Sequence, residues 1–304
     1  MKLKARNKMT NNSKELFEYY RFFLTPIEEP ELPFVKKKTR EEVIEDIFSQ
    51  DKTYKFKNRE TDYCLYIKQK VDSYVFASIG KKVKKHIRTA PEDGFQTREI
   101  EDWPGCDIFI NLSNEHDTGK TETKGQLILV QINNVDMKYR SSILQKLAAS
   151  INKNIQKYGF YLTISSIPSE KTLFWNVVKE NEGKIKRITF SYIPPNLLDL
   201  KSSLEDDLRS VSREFNSTKV QVSMENIDGN LTLSKGNKLL EESAKYVDLG
   251  AGTFKLQFKG NKKKSISSDD CIKTETFIDP EITLRSQNIT KEQLKAIMDI
   301  LLGK

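Results

Sequence analysis

The spacing of apolar residues changes near the middle of this 304-residue chain, and this change most constrains the fold. In Tyr63–Val71 and Tyr74–Val83, aromatic and β-branched residues approximately alternate with polar ones, which is typical of half-buried strands. In Arg140–Tyr158, apolar residues recur every three or four positions, which predicts an amphipathic helix. We therefore expect a β-rich first half, followed by a half in which helices and strands alternate.

Local signals also place the first elements of the chain. The aromatic segment Lys14–Thr25 fits a first strand or a short helix that packs on the core. Thr39 followed by Glu42 is a capping-box pattern, which predicts a helix over Thr39–Ser49.

The predicted fold class is α+β, in two domains. Residues 1–135 are expected to form a basic, mainly antiparallel β domain with one helix. Residues 136–304 are expected to form an α/β domain with a terminal β-ribbon and a short last helix. In that domain, Lys219–Met224 and Asn230–Leu233 flank Asp228–Gly229, a pair typical of a tight turn, so a β-hairpin is expected there.

The net charge of +8 lies entirely in the first ninety residues. Of 51 Lys and Arg and 43 Asp and Glu, residues 1–90 hold 21 and 13, which leaves 30 of each sign in the rest. A charge distribution this uneven attracts polyanions, of which phosphate backbones are the commonest. The sequence therefore predicts a nucleic acid, above all duplex DNA, as a partner.

Three dense basic groups are the candidate phosphate contacts. Flexible ammonium groups beside loops can follow a phosphate backbone without reading bases. Because Lys greatly outnumbers Arg, binding driven by charge and shape is expected rather than base-specific reading. The alternative for each group is an ordinary solvated surface. The candidate nucleic-acid-binding residues are Lys36, Lys37, Lys38 and Arg40, then Lys81, Lys82, Lys84, Lys85 and Arg88, then Lys262, Lys263 and Lys264.

Aromatic residues near the second basic group offer another way to bind single strands. Tyr63, Tyr66, Tyr74 and Phe76 lie on predicted strands, and aromatic side chains on an open sheet can stack on bases. Most aromatic residues on a sheet belong to its core, which is the competing interpretation here.

A metal-dependent nuclease is an alternative function. Asp107, followed later by Glu122 and Lys124, has the order of an acid and an acid-x-Lys triplet, which can hold a divalent ion and steady a phosphate. Against this interpretation, the triplet lies in a polar loop, and such triplets are frequent in a charged chain.

Other catalytic and cofactor patterns are incomplete. His86 and His116 are the only histidines and no CxxC pair exists, so we expect neither a structural metal nor a histidine-assisted hydrolase. No cofactor and no catalytic residue is predicted. Three separated cysteines and no secretory signal predict a cytoplasmic protein.

Several segments follow one another in a particular order and with a particular hydrophobic spacing. They are Tyr63–Lys68, Asp72–Phe76, Asp107–Ile110, Phe174–Val178, the strand that ends at Pro194, and Val220–Leu233. This layout resembles phage-exclusion proteins of the RexA type. The resemblance implies a two-domain DNA-binding component of an antiphage system that acts with a partner and has no hydrolytic chemistry of its own.

The leading hypothesis is a non-enzymatic DNA-binding protein, a sensor or regulatory subunit of antiphage defence. A protein partner, including a membrane-associated one, is expected, and homo-oligomers are also considered. The alternatives are the nuclease and a protein–protein interaction module whose charge-neutral C-terminal domain is the docking surface.

Overall fold

The computed structural model describes residues 15–27, 37–113, 126–132, 137–170, 173–194, 202–260, 265–277 and 289–303. Six α-helices lie within these ranges, and none is both long and apolar enough to cross a bilayer. The helices are α1 (Arg40–Ile47), α2 (Arg140–Ile155), α3 (Leu173–Glu180), α4 (Ser203–Phe215), α5 (Lys238–Asp248) and α6 (Lys291–Leu302).

The described strands form three sheets. They are β1 (Glu15–Pro26), β2 (Thr53–Asn58), β3 (Thr61–Val71), β4 (Tyr74–Lys81), β5 (Val83–Arg88), β6 (Thr97–Asp102), β7 (Gly105–Asn111), β8 (Leu127–Gln131), β9 (Phe160–Ser166), β10 (Ile185–Tyr192), β11 (Val220–Glu225), β12 (Gly252–Phe258), β13 (Ser265–Ser267) and β14 (Thr274–Phe277). The eight-stranded sheet has the order β14-β1-β8-β7-β4-β3-β2, and β9 also pairs with β1. The second sheet has the order β11-β10-β12-β13, and β5 pairs with β6 as a two-stranded ribbon.

The α+β class is confirmed, with antiparallel pairing throughout the strands that the structure describes. The hairpin expected around Asp228–Gly229 forms only its turn, in which the Gly229 amide donates to the Asn226 carbonyl at 2.9 Å. The expected second strand, Asn230–Leu233, is irregular. The hairpin is therefore wrong in its second strand, because the segment after the turn contacts the start of β10, where the Leu231 amide donates to the Ile185 carbonyl at 2.9 Å.

β1 contributes side chains to all three hydrophobic clusters that the described residues form. Its aromatic and apolar residues occupy consecutive buried positions, because both faces of this strand are covered. Tyr20, Phe22 and Leu24 join the first cluster, Phe23 the second, and Phe17 and Tyr19 the third.

Helices cover both faces of the large sheet. On one face, α1 and α2 pack over the first cluster, and the predicted capping box of Thr39 and Glu42 begins α1. On the other face, α6 packs over the third cluster. Both α2 and α6, together with β9 and β14, come from beyond residue 136, so the large sheet and its covering layers combine both parts of the chain. The predicted boundary near residue 135 is not confirmed.

A buried ion pair attaches the start of α2 to β1. The Arg140 guanidinium donates to both carboxylate oxygens of Glu18, at 2.5 and 2.6 Å. The Tyr20 hydroxyl donates to the same carboxylate at 2.7 Å. Burial, with the nearby Glu18 charge, raises the pKa of Tyr20 well above its ordinary range.

A second polar contact fixes the middle of α2 on β9. The Asn152 carboxamide accepts from the Leu162 amide at 2.6 Å and donates to the Leu162 carbonyl at 2.9 Å. A neighbouring strand would make the same two hydrogen bonds, so this side chain takes the place of one residue of a strand.

The position of Phe23 predicts a large loss of stability on truncation. Phe23 is 0% exposed and, unlike its neighbours on β1, packs in the second cluster. We expect Phe23→Ala to lower the free energy of unfolding by about 3–5 kcal/mol in urea titrations, because it leaves a cavity between the two sheets. The control is Leu16→Ala on the same strand, which is 37% exposed and should change it by no more than about 0.5 kcal/mol. Equal losses of unfolding free energy in the two variants would contradict the placement of Phe23 in the second cluster.

The buried tyrosines predict a loss of stability at alkaline pH. Burial raises the pKa of Tyr192 from 10.0 to about 12 and also raises those of Tyr20 and Tyr246. Unfolded tyrosines lose their protons near pH 10 while these keep theirs, so the stabilisation is complete below about pH 10 and falls as pH rises through 12. Burial lowers the pKa of Arg21 to about 10. This shift changes the pH dependence of stability in the opposite direction, but it belongs to a single group.

Urea titrations between about pH 9 and pH 12 measure how the free energy of unfolding changes with pH. The slope is about 1.4 kcal/mol per pH unit for each proton by which the folded and unfolded states differ. Above pH 10, Tyr192→Phe should reduce this slope by the contribution of about one proton. An unchanged slope in this variant would contradict the burial argument.

Candidate nucleic-acid interface

The second basic group begins at Lys81, the last residue of β4, and at Lys82, and it continues on a two-stranded ribbon that extends the β4–β7 hairpin. β5 and β6 pair with each other and, in the part of the chain that the structure describes, with no other strand. The chain passes from sheet to ribbon at Gly105, where a Cβ atom would lie 1.9 Å from the Ile79 carbonyl oxygen. Only glycine fits this crossing, so the ribbon (residues 83–102) leaves the sheet at a fixed place.

The lysines of the ribbon base and of β5 pair with acids on β6. Lys82 Nζ lies 2.5 Å from Glu101, Lys84 Nζ lies 2.6 Å from Glu99, and Lys85 pairs with Asp102. These hydrogen bonds lower the pKa values of the three carboxyl groups. The basic strand β5 therefore lies beside the acidic strand β6, and the positive charge of β5 is largely neutralised.

A charge count over the ribbon and its base agrees with this geometry. Residues 81–103 hold six Lys and Arg and five Asp and Glu, a difference of +1. Arg88, near the ribbon tip, is exposed and has no ion pair within the described ranges. The sequence grouped the lysines correctly but did not reveal that the antiparallel register sets acids beside them.

The first basic group is only partly available to a ligand. Lys37 is exposed, whereas Lys38 pairs with Asp46 and lies 4.6 Å from the centre of the Tyr158 ring. Arg40 is half-buried, and burial lowers its pKa. Lys36 and the third group, Lys262, Lys263 and Lys264, lie outside the described residues.

Sequence reasoning overlooked a basic surface on α2. Residues 137–169 contain five Lys and Arg and no Asp or Glu. Arg140 is committed to Glu18, but Lys138, Lys146 and Lys153 are exposed and have no acidic partner in the described ranges. The acid-free stretch was the signal, and it was missed because net charge was summed over long segments.

Contacts join this surface of α2 to the base of the ribbon through the β2–β3 turn. The Ser142 hydroxyl donates to Asn58 at 3.4 Å, and the Arg59 guanidinium lies 5.6 Å from the centre of the Tyr139 ring. On the other side of the turn, the Lys82 amide donates to the Asp62 carbonyl at 2.8 Å. We call Lys138, Lys146, Lys153, Arg59 and Lys82 the basic strip.

The ribbon also exposes large apolar side chains. Phe95 at its tip is 59% exposed, and Ile87 and Ile100 are 44% and 39% exposed. Trp103 at its base is 40% exposed. Ile87 and Ile100 share one face of the ribbon, because Ile100 lies opposite Lys85 and side chains alternate along a strand. A cluster of this kind is typical of a surface that contacts another molecule.

Stacking on the sheet aromatics is possible at one position only. Tyr63, Tyr74 and Phe76 are buried in the cores, so three of the four candidate residues have a structural role. Tyr66 is 41% exposed, and its hydroxyl donates to Asp51 at 2.7 Å.

Asp107, the first candidate of the nuclease hypothesis, lies on β7. Its carboxylate accepts from Ser78 and pairs with Lys68 at 3.3 Å. Glu122 and Lys124 lie outside the described residues. Within the described ranges, no group of three or more His, Cys, Asp and Glu side chains is placed to hold a metal ion.

Comparisons with known proteins identify no relative of this chain. No protein-family model matches it, and neither a curated protein nor a solved structure matches it. Its function must therefore be argued from its own surface.

Proposed function

We propose that this protein is a non-enzymatic DNA-binding protein that contacts the phosphate backbone with the basic strip and the ribbon. The observation that carries the proposal is the acid-free surface of α2, which adjoins the ribbon through the β2–β3 turn. Lysines on the exposed face of a helix, with no acidic partner among the described residues, can displace counterions from phosphates, which is the main source of non-specific DNA affinity. The dimensions also fit, because a two-stranded ribbon can enter the major groove.

The ion pairs of the ribbon moderate this binding but do not prevent it. Exposed pairs such as Lys84–Glu99 are screened by solvent and contribute little to stability. A phosphate can therefore replace the carboxylate as the partner of the lysine at small cost. In this proposal, the α2 lysines supply the attraction and the ribbon lysines add contacts after docking.

The salt dependence of binding tests the proposal. For six to eight released counterions, the logarithm of the association constant should fall against the logarithm of salt concentration with a slope of about −5 to −7. Replacing Lys138, Lys146 and Lys153 with Gln should reduce the steepness of the slope by about 2.7 and weaken binding. The measurement is fluorescence anisotropy with duplex DNA between roughly 50 and 200 mM salt.

Two controls distinguish the effect of the basic strip from the effect of a general change in net charge. Gln replacements at Lys179, Lys235 and Lys245, which are exposed in the second half of the chain, make the same charge change and should leave the slope near its original value. Amide replacements at the ribbon acids Glu99, Glu101 and Asp102 should tighten binding, because phosphates no longer compete with carboxylates. An affinity that is flat across the salt series, or equally weakened by both Lys sets, would count against the strip.

A protein–protein interaction module is the second candidate function. The exposed Ile87, Phe95, Ile100 and Trp103 on the ribbon favour it. The test is a pull-down after nuclease treatment, in which one stoichiometric partner should be recovered. Polar replacements at Ile87, Phe95 and Ile100 should abolish recovery, whereas the α2 Lys variants should retain it. Recovery that depends instead on the α2 lysines or on nucleic acid would contradict this function.

A cytoplasmic sensor or regulatory role in antiphage defence completes the proposal. It rests on the resemblance of the segment layout to that of phage-exclusion proteins of the RexA type. It includes a protein partner, membrane-associated or not, and allows for homo-oligomers. The test compares the plating efficiency of phage on cells that express the chain with that on cells that express its α2 Lys variants. A difference between the two would connect this role to the α2 surface.

A further inference from the structure

A cleft of about 240 Å³ lies between α2, β9 and the second sheet. Gln145 and Ala149 line it from α2, Thr163 and Ser165 from β9, and Thr253 from β12. Ligand sites commonly occur where two structural layers meet in this way. The cleft does not involve the ribbon, but it shares α2 with the basic strip, and Ala149 in its lining lies between Lys146 and Lys153 on that helix. Titration of a small ligand in the absence of DNA tests the cleft independently of DNA binding.

The lining of the cleft is rich in hydroxyl groups and balanced in charge. One cation, Lys219, and one acid, Asp269, are its charged residues within the described ranges. The Ser166 hydroxyl donates to Asp269 Oδ1, and Oδ2 has no such partner there. The Ser and Thr residues that line the cleft are Ser141, Thr163, Ser165, Ser166, Ser191 and Thr253.

Two of these hydroxyl groups have no hydrogen-bond partner among the described residues. Ser165 is 7% exposed, and neither its Oγ nor Thr163 Oγ1 has a hydrogen-bond partner in the described part of the chain. Buried hydroxyl groups are nearly always hydrogen-bonded, because an unmade bond costs free energy. Two such groups on one strand therefore point to a partner other than the described residues.

The backbone of β9 adds a donor and an acceptor. The outer edge of this strand is occupied at Leu162 by the Asn152 carboxamide. Outward-pointing groups recur every second residue in an antiparallel strand, so the amide and carbonyl of Ile164 point to the same edge. Ile164 lines the cleft, which therefore offers a ligand a fixed pair of backbone groups.

We propose that this cleft binds a small molecule without net charge that carries a vicinal diol, of nucleoside or monosaccharide size. A carboxylate such as Asp269 can accept from both hydroxyls of a diol, and the unpaired Ser165 and Thr163 hydroxyls can complete the contacts. The volume corresponds to about eight water molecules at about 30 Å³ each, below the roughly 300–1,000 Å³ of drug-sized sites. The balance of Lys219 against Asp269 disfavours a highly charged ligand.

Calorimetric titration of the intact chain tests this proposal with ribose, adenosine, uridine and 2′,3′-dideoxyadenosine. Saturable binding of a diol compound, at least about tenfold tighter than of the dideoxy analogue, is the expected result. Binding of ribose as tight as that of a nucleoside would identify a free sugar as the source, and tighter nucleoside binding would identify a nucleoside. Absence of binding by every diol compound, or equal binding of the dideoxy analogue, would overturn the proposal and leave water as the occupant.

Three variants connect the binding to the cleft. Ser165→Ala should weaken binding about fivefold or more, yet leave the stability of the free chain unchanged or higher, because it removes no protein hydrogen bond. Ala149→Trp should fill the cleft from the exposed side of α2 and abolish binding. Asn154→Trp, an exposed position on the same helix outside the cleft, is the matched control and should bind normally. Unchanged binding in both Ser165→Ala and Ala149→Trp would overturn the proposal.

Discussion

The fold depends on a single strand that is buried on both faces. β1 pairs with β8, β9 and β14, and its side chains enter all three hydrophobic clusters. The two sheets and the layers of helices over the large sheet therefore share one element near the start of the chain. Because the strands and helix that complete this arrangement come from much later in the sequence, much of the fold depends on contacts between distant segments. Such contacts are slow to form, since long loops must close first.

Strand register decides where the charge of this molecule is available. On the ribbon, lysines and acids are brought together across the two strands, so a dense run of basic residues has little excess charge. On α2, no acid lies within the helix, and the lysines remain unpaired in the described ranges. A surface that binds a polyanion is thus determined less by how many cations a segment contains than by which side chains its neighbours present.

Local sequence patterns predicted most of the helices and strands. The features that were not predicted depend on pairing between distant segments. The capping box at Thr39 and the helical period of α2 were reliable because caps and amphipathic spacing act within a few residues. The hairpin after β11 was wrong because its turn signal was local, whereas Leu231 after the turn bonds to the distant Ile185. The lysines were grouped from the sequence, but neither the ribbon that carries them nor the register that pairs them with acids was predicted. The cleft could not be foreseen, because its walls come from segments far apart in sequence.

The contact between Asn152 and β9 has a consequence for the behaviour of the protein in solution. A strand with an open edge can recruit the same strand from another molecule, which is a common first step of aggregation. The carboxamide of Asn152 occupies one position of that edge with groups that copy a peptide bond. The helix thereby blocks intermolecular strand addition at this one position of the edge, through a single side chain.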